Sequence, residues 1–142
     1  MNAIIDRSLP GITQYSTSSR STANRKVAEV HFGIELKKIT EVFNISQSSK
    51  HSINELLRFV VENTDWDGVV RYGLSYDAED EEFNLIVDRD IPYKSLSIKL
   101  VKNSIRVTRI TNIAKTEKFA EGYKVDQIGG AINWLNSPLT VI

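Results

Sequence analysis

The stretch Ser52 to Asn63, SINELLRFVVEN, constrains this chain more than any other. Ser52 and Glu55 stand at capping-box spacing, and Ile53, Leu56, Leu57, Val60 and Val61 recur so that they share one helical face. The spacing therefore predicts a core helix over about 52–63. A helix this short is marginal alone in water, so its apolar stripe needs a surface to cover. Alternating segments supply one. Val70, Tyr72, Leu74 and Tyr76 alternate with Arg71, Gly73 and Ser75, and Phe83, Leu85 and Val87 repeat the pattern after the acidic turn Asp77 to Glu82. Leu96, Ile98 and Leu100 then Ile105 and Val107 continue it on either side of Lys102-Asn103, which reads as a second hairpin turn. Asp65-Trp66-Asp67-Gly68 has the residues of a tight turn before the first of these strands.

A second helix is predicted over about 124–136, where Val125, Ile128, Ile132 and Leu135 form a stripe that stops at Ser137-Pro138. Gly129 and Gly130 lie within it, and predict either a kink or an unusually close approach to the sheet. The fold class that follows is α+β: a four- or five-stranded antiparallel sheet packed by the central and C-terminal helices. Val27 to Phe43 supports two periods. Val30, Phe32, Ile34 and Leu36 alternate as in a strand, with His31 on the solvated side, while Phe32, Leu36, Ile39 and Phe43 also fit a helix. Gly33 and the β-branched content favour the strand. Asn44 to His51 then reads as a polar loop.

Residues 1–26 show no periodicity, carry Pro10-Gly11, and are rich in Ser, Thr and Arg. They predict a polar arm, mobile or ordered by a partner, ahead of a single domain over 27–142. The Arg and Ser bias also matches a transit peptide, without the amphipathic helix that such a peptide carries. At 142 residues the chain is long enough to bury a core unaided, and with no cysteine it has neither a disulfide framework nor a thiolate metal site. No apolar run approaches the roughly 20 residues of a membrane span, and the first residues lack a continuous apolar segment, so the expected location is cytoplasmic without membrane contact.

Formal charge is zero, but the charges are segregated. Glu55 to Tyr93 holds eleven acids against three bases, a net of −8, whereas Lys94 to Lys124 holds eight bases against two acids, a net of +6. The arm to Lys26 adds +3. Such polarity can steer a charged protein partner or align identical subunits.

Catalytic motifs are missing. His31 and His51 form no metal-binding pair, Gly73-Leu74-Ser75-Tyr76-Asp77 lacks the second glycine of a nucleophile elbow, and there is no Gly-rich phosphate loop. Asp77 to Glu82 lacks the glycine with which an EF-hand loop wraps its ion, and reads as a charged hairpin turn. The expectation is a non-catalytic protein-binding protein without cofactor or metal, either a subunit of a larger assembly or a small inhibitor or immunity-type binder. Its partner is another protein or a second copy. The nominated contact residues are Arg20, Arg25 and Lys26 in the arm, and Asp77, Glu79, Asp80, Glu81 and Glu82 in the turn. The alternative is nucleic-acid binding through Lys99, Lys102, Arg106, Arg109 and Lys115, where hydroxyls at Ser95, Ser97, Ser104 and Thr108 interleave with cations, although no aromatic pair stands ready to stack on bases. An enzyme without recognisable motif is the second alternative.

Overall fold

The computed structural model describes residues 2–4, 14–18, 24–90, 92–101, 104–111, 115–121 and 125–138. In chain order the elements are β1 (Asn2–Ile4), β2 (Gln14–Ser18), α1 (Arg25–Val42), α2 (Gln47–Asn63), a 3-10 turn (Trp66–Gly68), β3 (Val69–Asp77), β4 (Glu82–Arg89), β5 (Lys94–Val101), β6 (Ser104–Ile110), β7 (Lys115–Glu121) and α3 (Val125–Asn136). The fold is α+β, and its centre is the antiparallel meander β3 to β6 that the alternation predicts. The sheet continues beyond the meander on both sides. Strand order follows chain order from β1 to β7, every pair antiparallel.

One face of the meander supplies Tyr72, Leu74, Tyr76, Phe83, Leu85, Val87, Leu96, Ile98, Leu100, Ile105 and Val107 to a single core shared with the helices. Helix α1 packs on β3, α3 packs on β5 and β6, and α2 lies against both α1 and α3. The α2 stripe is buried as its spacing predicts, Ile53, Leu56 and Val60 completely. Val70 departs from the predicted alternation. The register of β3 against β4 slips between Val69 and Arg71, so Val69 takes the inward position and Val70 turns outward, 44% exposed. A bulge of one extra residue has this effect because side chains alternate with a period of two.

Three expectations are corrected. First, Val27 to Phe43 is helical, not a strand: Asn24 caps α1 by accepting a hydrogen bond from the Val27 amide at 2.9 Å, and Ala28, Phe32, Leu36 and Ile39 form its buried stripe. The helical period is what sets Phe32, Leu36 and Ile39 on the core. Second, α2 begins at Gln47 within the expected loop, because Ser46 and not Ser52 is its cap, its Oγ accepting from the Ser49 amide at 3.2 Å. Third, α3 runs as an unbroken helix through Gly129 and Gly130, and at Gly129 it faces Phe59 of α2, at ordinary contact distance, where an approach to the sheet was one of the two expectations.

Helix ends are tied together by side chains. Asn136 donates to the Asn63 carbonyl at 2.8 Å and accepts from the Asp65 amide at 2.8 Å, clipping the last turn of α3 to the last turn of α2. The buried Trp66 indole donates to the Val61 carbonyl at 2.9 Å. These bonds satisfy backbone groups that a helix end leaves without internal partners.

Candidate functional site

The acidic residues nominated from sequence come together. Asp77 closes β3, Glu79, Asp80 and Glu81 form the exposed turn, and Glu82 opens β4 directly across from Asp77. The Asp77 carboxylate accepts from the Glu79 amide at 3.0 Å, which shapes the turn. Glu81 sits at φ 50°, a left-handed conformation in which glycine would be unstrained. An acid is held where a glycine is the easier choice. Among the described residues no ion pair engages Glu79, Asp80 or Glu82.

The arm residues divide. Arg20 lies outside the described residues, while Arg25 and Lys26 are exposed at the start of α1, Arg25 within 3.9 Å of Glu62 on α2. Between these helices runs a groove of about 230 Å³, with Phe32, Leu57 and Val61 in its floor and Arg25, Glu29, Arg58 and Glu62 on its rim.

The basic residues divide more sharply. Lys99 and Arg106 face each other across β5 and β6 on the side away from the helices, beside Ser97 and Thr108. Arg109 has the opposite orientation. It is partly buried on the helix side, its guanidinium over the Trp134 ring at 5.5 Å, and burial pushes its pKa below the ordinary value. Lys102 lies outside the described residues, and Lys115 is known by its register opposite Ile110. The face carrying Lys99 and Arg106 also holds Asn84, which accepts from Ser97 at 2.7 Å, and the Arg71–Asp88 pair, joined at 2.5 and 2.7 Å.

Several groups that bear on function or stability carry no local signal in the sequence. Lys94 is fully buried, and its ammonium donates to the Trp134 and Ser137 carbonyls at 2.6 and 2.7 Å. It thereby caps the C-terminus of α3, where carbonyl dipoles favour a cation; burial, with a smaller contribution from Arg89, lowers its pKa. His31 is corrected from a solvated strand residue to a half-buried helical one whose Nδ1 is hydrogen-bonded to the Tyr72 hydroxyl. Glu35 is 2% exposed on α1, with Lys38 at 3.7 Å, and desolvation raises its pKa against the lowering influence of that lysine.

Helix α1 also leaves apolar groups outside. Val30 and Ile34 are 46% and 41% exposed, and Gly33, between them in sequence, has no atom of the described residues within 4 Å of the place where a Cβ would stand. Among the described residues no three His, Asp or Glu side chains gather to hold a metal ion, and no helix is long and apolar enough to cross a membrane. No protein-family model, curated protein or solved structure matches the chain.

Proposed function

We propose that this chain is a non-catalytic protein-binding protein, a subunit of an assembly or a small inhibitor or immunity-type binder. The observation that carries this reading is the strand order. Because neighbours in the sheet are neighbours in the chain, the acidic β3–β4 hairpin and the basic strands β5 to β7 keep their sequence order across the sheet. On the basic side, Lys94 and Arg109 are turned into the molecule. The acidic turn at Glu79, Asp80 and Glu81 is exposed and dense in charge, a surface that attracts a basic protein and repels phosphate.

The nucleic-acid reading keeps one specific support, the Lys99–Arg106 pair with Ser97 and Thr108 on the sheet face away from the described helices. Retention on immobilised duplex and single strands at about 50 mM salt separates the two, because phosphate contacts are strongest there. The protein is expected to pass through. Retention that is abolished by Lys99→Glu with Arg106→Glu would overturn the protein-binding reading in favour of nucleic acid.

A further inference from the structure

We infer that the outer face of α1 is the seam of a two-fold symmetric dimer, in which α1 packs antiparallel against α1 of a second copy. The inference rests on the protein-binding reading and names one partner, at a surface separate from the acidic turn. Three observations converge on it.

The first is the apolar content of an exposed face, Val30 and Ile34. Lys26, Val30, Gly33 and Lys37 follow one another at steps of four, three and four residues, the spacing of a helix–helix seam, and all are exposed, with Ile34 beside them. The core-facing stripe of Ala28, Phe32, Leu36 and Ile39 lies on the other side of the helix.

The second is Gly33. An interior helical glycine is less favourable than alanine. Among the described residues nothing requires the missing Cβ, since none has an atom within 4 Å of its place. A bare backbone beside exposed Val30 and Ile34, where the face meets the groove along α2, permits another helix to approach closely, and an antiparallel arrangement centred here sets Ile34 of each copy near Gly33 of the other.

The third is charge. A two-fold axis at Gly33 and Ile34 places Lys26 against Glu41 of the second copy and Glu29 near its Lys37, and symmetry repeats each pair. Among the described residues no ion pair within the chain engages Lys26, Glu29, Lys37 or Glu41. A parallel arrangement would instead bring like charges together, Lys26 on Lys26 and Glu41 on Glu41. The Lys37 stem lies over Val30 of the second copy while its ammonium reaches Glu29, so apolar and ionic contacts do not compete.

A contact of one helix per copy falls at the small end of specific interfaces, below about 1,200 Å² in total, so the dimer is expected to dissociate at micromolar concentrations. Sedimentation equilibrium of the full chain across a concentration series measures this. Glu29→Lys and Lys37→Glu should each raise the dimer dissociation constant about tenfold or more, and the double variant, which restores opposite charges across the axis, should recover it. All four residues of the ionic set are on the exposed helix surface, and circular dichroism verifies that each variant folds. A chain that stays monomeric at every concentration overturns the inference while leaving the protein-binding reading to the polynucleotide test. A dimer indifferent to both single reversals but broken by Glu79→Lys with Asp80→Lys also overturns it, and supports the acidic turn instead.

Discussion

Helices α1 and α2 are nearly equal in length, 18 and 17 residues, and lie side by side, yet they use their apolar residues differently. In α2 the apolar stripe Ile53, Leu56, Leu57, Val60 and Val61 is buried, and its outward side is polar. In α1 the stripe Ala28, Phe32, Leu36 and Ile39 is buried, while Val30 and Ile34 stand in solvent on either side of an open glycine. One helix is built for the core alone. The other carries apolar surface beyond what the core takes up, which is the property expected of an element with a second, intermolecular contact.

The sharpest way to break this comparison is through paired truncations. Leu56→Ala on α2 should cost about 2–5 kcal/mol of unfolding free energy, as a fully buried leucine leaves a cavity. Val30→Ser on α1, measured by the same urea titration at dilution, should stay within about 0.5 kcal/mol, as surface substitutions do. Equal losses at the two sites would place Val30 in the core and remove the distinction.

A smaller effect of opposite sign is expected at Gly33. Gly33→Ala should stabilise the dilute monomer by up to about 1 kcal/mol, because the helix gains propensity and the Cβ meets nothing. The same substitution should weaken association, and that pairing of gain with loss is what an interface glycine produces.

The smallest effect concerns Glu35, the one carboxylate on the buried side of α1. Desolvation raises its folded pKa above the usual 4.5 despite Lys38, so folding favours the protonated form. Its contribution to stability is fully present below the unfolded pKa and is lost as pH rises through the raised folded value. Glu35→Gln should therefore be near wild type at about pH 4 and gain on it as pH rises, which urea unfolding across that interval would show. A difference that does not vary with pH would mean the carboxyl titrates normally.

The same contrast explains what the sequence could disclose. The α2 stripe and the strands β3 (from Tyr72 on) to β6 are legible because each repeats one period without interruption, and the capping serine is misplaced only because Ser46 and Ser52 both precede suitable residues. Helix α1 was obscured by the residues that set it apart. With Val30 and Ile34 added to Phe32 and Leu36, the apolar positions alternate as in a strand, and only the fold shows that two of the four face outward. The Val70 bulge was hidden for a related reason, since one inserted residue leaves the local composition unchanged. The role of Lys94 rests on carbonyls 40 and 43 positions away, and no local pattern encodes such a contact. Of the site residues, the acidic turn is compact in sequence and in space, whereas the basic set was scattered because strand alternation sends Arg106 and Arg109 to opposite sides.

The most direct measurement uses the absence of cysteine. A single Ile34→Cys substitution puts one thiol in the chain, next to the proposed axis and with Gly33 intact, and Asp80→Cys puts one at the exposed β3–β4 turn as a control. Disulfide formation requires Cα atoms within about 7 Å, so oxidation at low salt reports which sites meet. Ile34→Cys is expected to yield a covalent dimer of twice 16.1 kDa on a non-reducing gel, with little from Asp80→Cys. Ile34→Cys remaining at 16.1 kDa, or crosslinking no faster than Asp80→Cys, would contradict the assignment of α1 to a second copy.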